Sequence, residues 1–330
     1  MKRIIIIAAL FLGLLPFVQA QQANVRASYK PNLVVAKDGS GDYLTIQEAI
    51  DAVRAYSPVP VTIFIKNGEY HEKVTIPAWV SNLSIKGESK EQTIISYNDF
   101  AGKFFSTDTM TNKNKHTTFT SATWFVFGND ITIENLTIKN EAGRVGQAVA
   151  MHVNGSRFIL KNCNLIGNQD TLFATNDESM QLYDHCYIEG TTDFIFGSAT
   201  AVFKNCTIKS LSNSYVTAAS TMPHQLYGYV FLDCDLISSD DCTMEYLGRP
   251  WRAYAKTVFV RCALGKHILP VGWQNWDNVA NEKTAYYAEY QSKGLGAAGQ
   301  QRVTWSYQLT DKEVNEYTIE KIFGYWKPIL

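Results

Sequence analysis

The sequence predicts an all-β fold, a single-stranded right-handed parallel β-helix closed by short helices at its ends. Two observations predict it: one strand phrase recurs every 20–28 residues, and five of the six cysteines occupy the same place in that phrase. The phrase reads ITIENLTIKN at 131–140, FILKNCNLIGN at 158–168 and QLYDHCYIEG at 181–190. It continues as VFKNCTIKS at 202–210, VFLDCDLIS at 230–238 and VFVRCALGK at 258–266. Its central residue falls at Leu136, Cys163, Cys186, Cys206, Cys234 and Cys262, at intervals of 27, 23, 20, 28 and 28 residues. A fainter copy, NLSIKGES, centres on Leu83.

Each phrase alternates apolar and polar residues and is rich in β-branched and aromatic side chains, so it is a strand. A repeat of this length stacks one coil on the next, about 4.8 Å apart, and buries the apolar side of each. The L-x-x-L-x-L frame of a leucine-rich repeat is absent. Cysteines 163, 186, 206, 234 and 262 then form an interior column, where the residue acts as a small hydrophobe. Stacked neighbours are near enough for a disulfide, so one or two bridges are a second expectation, Cys206–Cys234 foremost.

Both ends carry helix-start signals. Thr45-Ile46-Gln47-Glu48 is a capping box opening an amphipathic helix through Val53, and Thr310-Asp311-Lys312-Glu313 opens another through about Phe323. Such covers shield the terminal coils. No linker rich in Pro, Gly or Ser interrupts the chain, so residues 21–330 are expected to form one domain.

Residues 1–20 read as an export signal. Lys2 and Arg3 precede an apolar run from Ile4 to Phe17, and Val18-Gln19-Ala20 supplies the cleavage site. That run is too short for a membrane-spanning helix. The formal net charge of the whole chain is −1, and losing Lys2 and Arg3 takes it to −3. Clustered basic excess, the mark of a nucleic-acid surface, is missing. The expected protein is a soluble monomer, secreted or periplasmic, with no nucleic-acid or membrane partner. Its six histidines show no metal-ligand spacing, and neither a G-x-S-x-G elbow nor a phosphate loop occurs, so neither metal nor cofactor is expected.

Asp170 lies seven residues after Cys163 and Asp193 seven after Cys186, so the two aspartates share a register on consecutive coils. Gln147 lies 23 residues before Asp170 and tops the same column, with Gln169 beside Asp170. Aspartates at a strand end often only bond a turn backbone. Two of them stacked without partners gain nothing structurally, and their proximity raises one pKa while the other stays charged. A retaining glycosidase also uses carboxylates about 5 Å apart. The glutamines favour acyl transfer, which needs amide donors for an oxyanion.

The phrases GEYHEKV (68–74), QAVA (147–150), GNQDTL (167–172), GTTDFIFG (190–197) and LGRPW (247–251) follow one another as in pectin methylesterases, and the chain resembles that family from about Leu33 to Pro328. AKDGSGDYLTIQEAIDAV (36–53) and WSYQLT (305–310) extend the likeness. The resemblance implies that Asp193 is the nucleophile on the methyl ester of pectin and Asp170 the general acid, then base. It implies that Gln147 and Gln169 hold the oxyanion, Arg249 pairs with Asp193, and Trp251 lines the sugar cleft. Phe194 and Tyr227 are further candidates for that lining, with Tyr229, Trp273 and Trp276 behind them. The chain departs from the family pattern at Asn168, often aromatic, at Thr192, commonly valine, at Met151-His152, usually a Leu-Arg type pair, and over 217–221. Competing readings are a β-helix glycosidase or calcium-dependent lyase, or a carbohydrate-binding solenoid without activity. The G-H-G turn and clustered aspartates of a polygalacturonase are not found, and Asp170, Asp193 and Arg249 are all present.

Overall fold

Residues 30–105 and 113–329 are described by a computed structural model; the export signal expected at 1–20 lies outside them. Three parallel sheets of eleven, eight and seven strands run along the molecule, and each coil visits them in that order. One coil runs through Phe158–Lys161, Asn164–Ile166 and Leu172–Ala174 before Met180–Asp184 pairs beside its first strand. The pairings follow the repeat intervals: Asn164 lies beside Tyr187, Tyr187 beside Thr207, Thr207 beside Asp235 and Asp235 beside Ala263. The fainter copy is shifted. Leu83 pairs with Ile131, five residues before Leu136, because this strand runs on to Gly87, where a Cβ would strike the Asn135 carbonyl at 2.1 Å.

One residue makes the corner between the eleven- and eight-stranded sheets. Asn135, Asn162, His185, Asn205, Asp233 and Arg261 all have φ between 49° and 59°, and each directly precedes the column residue. Asn and Asp tolerate this left-handed conformation best, which explains the N-C and D-C pairs of the phrase. Asn162 Nδ2 donates to Asn135 Oδ1 at 2.8 Å, tying one corner to the next.

All six thiols are free, so the expected Cys206–Cys234 bridge does not form. Each column thiol instead reaches back one coil. Cys206 donates to the Tyr183 carbonyl and Cys234 to that of Phe203, both at 3.3 Å. Beside the column, Tyr183, Phe203, Phe231 and Phe259 stack with centroids 4.4–4.7 Å apart and planes within 11°. The parallel register imposes that spacing, and each fully buried ring contributes roughly 2–3 kcal/mol.

The N-terminal cover forms as expected but ends earlier, spanning Ile46–Asp51 with both capping-box bonds present. Ile46, Ala49 and Ile50 are buried on the first coils. Gln47 acts as a substitute strand, bonding both the N–H and the C=O of Thr75 at the sheet edge. Glu72, from the GEYHEKV phrase, accepts from the N–H groups of Ile46 and Gln47 at the helix start. The C-terminal element is different. A 3-10 turn, Glu313–Glu316, and a helix, Ile319–Phe323, replace one longer helix. They lie along the flank of the eleven-stranded sheet, packing Ile322 and Phe323 on Leu182, Val202, Val230 and Val258. The final coil is covered by Val303 and Trp305 instead, beside the buried Arg302–Glu289 ion pair.

Candidate active site

The seven-stranded sheet carries an outward stripe fixed by register: Phe125, His152, Phe173, Phe196, Ala218 and Arg249 lie side by side on successive strands. The turns entering these strands supply the polar groups. Phe173 and Phe196 stack at 4.4 Å, and Trp251 meets both edge-on, at 6.5 and 5.9 Å. His152 packs 4.6 Å from Phe173, where burial lowers its pKa to about 4 and keeps it neutral.

A cavity of ≈270 Å³ opens over this stripe, lined by Gln147, Gln169, Asp170, Asp193, Arg249, Trp251 and Trp276 among others. Seven sequence candidates therefore converge on one space: the two aspartates, the two glutamines, Arg249, Trp251 and Trp276. The register between the glutamines is one residue off expectation. Gln147 pairs with Gln169 rather than with Asp170, so the interval at that turn is 22 residues, not 23.

Two other candidates are elsewhere. Phe194 is fully buried in the core, because the chain alternates at Asp193 and sends the next side chain inward. Tyr227 leads into a strand of the eleven-stranded sheet and sits on that flank, its hydroxyl donating to the Glu316 carbonyl at 3.0 Å. Tyr229 and Trp273 are core residues as well.

The motif glycines have a steric cause. A Cβ on Gly190 would lie 2.2 Å from the Cβ of Phe194, and one on Gly167 would lie 2.5 Å from the Thr171 hydroxyl. In both GNQDTL and GTTDFIFG the residue four positions on folds back over the glycine. The aspartate between them, Asp170 or Asp193, is thereby held with φ of 66° or 49°. Left-handed backbone at a non-glycine residue persists where its surroundings over-determine it.

Arg249 donates to Asp193 through Nε at 2.9 Å and Nη2 at 2.7 Å. Its guanidinium is itself sandwiched, 3.9 Å from the Tyr215 ring and 3.8 Å from Trp276. Burial raises the pKa of Asp193, opposed by those two hydrogen bonds. Asp170 is pushed up to about 8, first by burial and then by the Asp193 charge, with Arg249 opposing. At neutral pH Asp170 therefore keeps its proton, beside an Asp193 carboxyl paired with the Arg249 cation.

Sequence reasoning missed Tyr215, half of the clamp on Arg249, and the pair Thr118–Phe119, which reaches the cavity rim. Tyr215 opens the strand Tyr215–Ala219, two residues beyond the seven-residue spacing from Cys206, and Thr118–Phe119 lies in a 3-10 turn, where the repeat offers no register. Among the described residues no three His, Cys, Asp or Glu side chains converge as metal ligands.

Side-chain amides beside a paired carboxylate and a carboxylic acid suit a developing oxyanion, which a glycosidic bond does not generate. Fold and cavity together define a carboxylic ester hydrolase on a parallel β-helix. Comparison with known proteins agrees. The pectinesterase family model matches residues 32–324. Pectinesterase 31 of Arabidopsis thaliana is 36% identical, covering 86% of this chain and 89% of its own. Pectin methylesterase from carrot superposes with a TM-score of 0.81 at 33% identity, over 89% of this chain and 93% of that one. A pectin methylesterase in complex with a hexasaccharide superposes at 0.79 and 31% identity, over 92% of this chain and all of its own. The chain belongs to the pectinesterase family, and its reaction is the hydrolysis of pectin methyl esters.

Proposed function

We propose that the chain demethylates pectin through a covalent intermediate on Asp193. The ionised Asp193 carboxylate attacks the carbonyl carbon of a galacturonate methyl ester, and the amides of Gln147 and Gln169 donate to the resulting oxyanion. As the tetrahedral intermediate collapses, the bond between the carbonyl carbon and the methoxy oxygen breaks and Asp170 gives its proton to that oxygen, releasing methanol. The anhydride left on Asp193 is cleaved by water, whose proton returns to Asp170. Asp193 is released as carboxylate, and both groups are restored. Arg249 keeps the nucleophile ionised and aimed without giving up a proton of its own. The observation that carries this reading is the contrast within one cavity, Asp193 held by two Arg249 bonds and Asp170 raised to about 8.

Residues 1–20 fit export to a secreted or periplasmic location, and a mature N-terminus at Gln21 is the corresponding expectation. The test of the chemistry is methanol release from highly methylated pectin, with chain length followed in parallel. Wild-type protein should release methanol without shortening the polymer, and Asp193→Ala should release none while still binding pectin. Unchanged methanol release by that variant would sink the assignment.

A further inference from the structure

Glu245 is fully buried and takes no part in the chemistry above. It directly precedes Tyr246–Pro250, the strand that carries Arg249. Its carboxyl accepts the Ser214 N–H at 2.6 Å, and the Cys242 thiol lies 3.8 Å from the same oxygen. Glu289, also buried, faces Arg302, whereas Glu245 is met by an amide, a thiol and the Ser210 hydroxyl. Burial pushes its pKa up to about 9, with the Ser214 N–H opposing and the Asp193 charge adding. Near neutral pH it is therefore a carboxylic acid.

Ser214 passes the contact on. Its hydroxyl donates to Thr192 Oγ1 at 2.9 Å, and its carbonyl accepts the Tyr246 N–H at 3.0 Å. The next residue, Tyr215, accepts the Asp193 N–H on its carbonyl at 2.8 Å and lays its ring 3.9 Å from the Arg249 guanidinium. Two residues thus touch Thr192, Asp193 and Arg249, and Glu245 anchors them from the interior.

The geometry points to Glu245 as a positioning residue, which fixes Asp193 against Arg249 through Ser214 and Tyr215. A buried N–H stripped of its acceptor recovers its loss only by moving. Without the Glu245 oxygen the Ser214 peptide turns, and the Tyr215 carbonyl that holds Asp193 goes with it. The acid serves better than its anion, because a second negative charge in this interior would repel the Asp193 carboxylate. This inference rests on the reading of Asp193 as nucleophile, and its test separates the two.

Two measurements on wild type, Glu245→Met, Glu245→Gln and Ser214→Ala decide it. Methionine keeps the volume and removes the acceptor, whereas glutamine keeps the acceptor and stays neutral. The first measurement is hydrogen exchange by mass spectrometry, which needs no catalysis. Glu245→Met should speed exchange over 190–197 and 212–219 about tenfold and leave the strands Met180–Asp184 and Thr200–Lys204 unchanged. The second is steady-state methanol release near neutral pH. Glu245→Met should lower kcat about ten- to thirtyfold with KM within about twofold, and Glu245→Gln should restore kcat to within about threefold of wild type. Ser214→Ala, which cuts only the bond to Thr192, should show the same pattern at about threefold in kcat. Exchange that rises throughout the protein, a KM that moves with kcat, or a glutamine variant as impaired as the methionine one would overturn the inference. Unchanged kcat in Ser214→Ala would overturn it as well, should Glu245→Met fail to fold. If wild type released no methanol the esterase reading would fail, and hydrogen exchange would still decide the anchoring.

Discussion

Arg249 grips Asp193 with two nitrogens, at 2.9 and 2.7 Å, from a guanidinium wedged between the faces of Tyr215 and Trp276. Four contacts thus fix one cation: two parallel bonds set its plane, and two rings hold that plane from either side. A lysine carries the same charge but has neither the fork nor the flat faces. Arg249→Lys should therefore keep Asp193 ionised yet let it swing, lowering kcat on the order of 10²-fold with little change in KM. Steady-state methanol release checks this, and a kcat within threefold of wild type would mean that charge alone suffices.

Asp170 sets the pH response. The proposed chemistry needs it protonated when methanol leaves, and its pKa in the free protein is raised to about 8. kcat/KM should accordingly fall as pH rises through about 8. Stability moves the same way. The folded-state pKa lies above the model value of 3.8, so the folded chain holds this proton more tightly than the unfolded one. The resulting stability is fully present below about pH 4 and is lost as pH rises towards 8. Asp170→Asn removes the ionisation and should raise the unfolding free energy at pH 8 by several kcal/mol, on the order of 3, while abolishing turnover. Denaturant melts of both proteins at pH 5 and pH 8 check it, and a gap that does not widen with pH would overturn the assignment.

How far the fold was legible follows from what repeats. The cysteine register foretold which strands pair, and with it the placing of Asp170 over the coil of Asp193, because parallel in-register coils convert a sequence interval into a position. Lining residues outside that arithmetic were not legible. Tyr215 opens a strand that starts two residues later than the seven-residue spacing from Cys206 implies, Phe119 comes from a 3-10 turn, and Phe194 faces inward because a single left-handed residue before it changes the side of the sheet. The C-terminal helix was visible as a helix signal, but its apolar face suits a flank as well as an end, and only the row from Leu182 to Val258 decides between them.

Gly190 offers a test of the local argument. The missing Cβ leaves room for Phe194, which is fully buried beneath the turn that carries Asp193, the proposed nucleophile. Gly190→Ala places a methyl 2.2 Å from a β-carbon fixed by its own backbone, so the turn has to move. The expected cost is roughly 3 kcal/mol or more, read as a lower denaturation midpoint, together with a loss of activity larger than the loss of folded protein. Gly143→Ala is the control. Open space surrounds that glycine at φ 82°, so only backbone strain of about 1 kcal/mol applies. Equal destabilisation by the two changes would mean that the fold-back of Phe194 does not shape the turn.

The two glutamines should not be equivalent. Gln169 is half-buried between the active-site cavity and an adjoining one of ≈160 Å³, whereas Gln147, its partner in register, is exposed. A donor in a water-poor setting counts for more towards a developing oxyanion, because no solvent molecule replaces it when it is removed. Gln169→Ala should lower kcat on the order of 10²–10³-fold. Gln147→Ala opens onto solvent, so a water can take over part of the donation and the loss should be smaller, roughly tenfold. Both effects should fall on kcat rather than KM, since the oxyanion forms only after attack. Measuring the two variants on one methylated pectin decides the matter: a loss below tenfold for Gln169→Ala would remove that amide from the oxyanion site and leave it as the partition between the cavities.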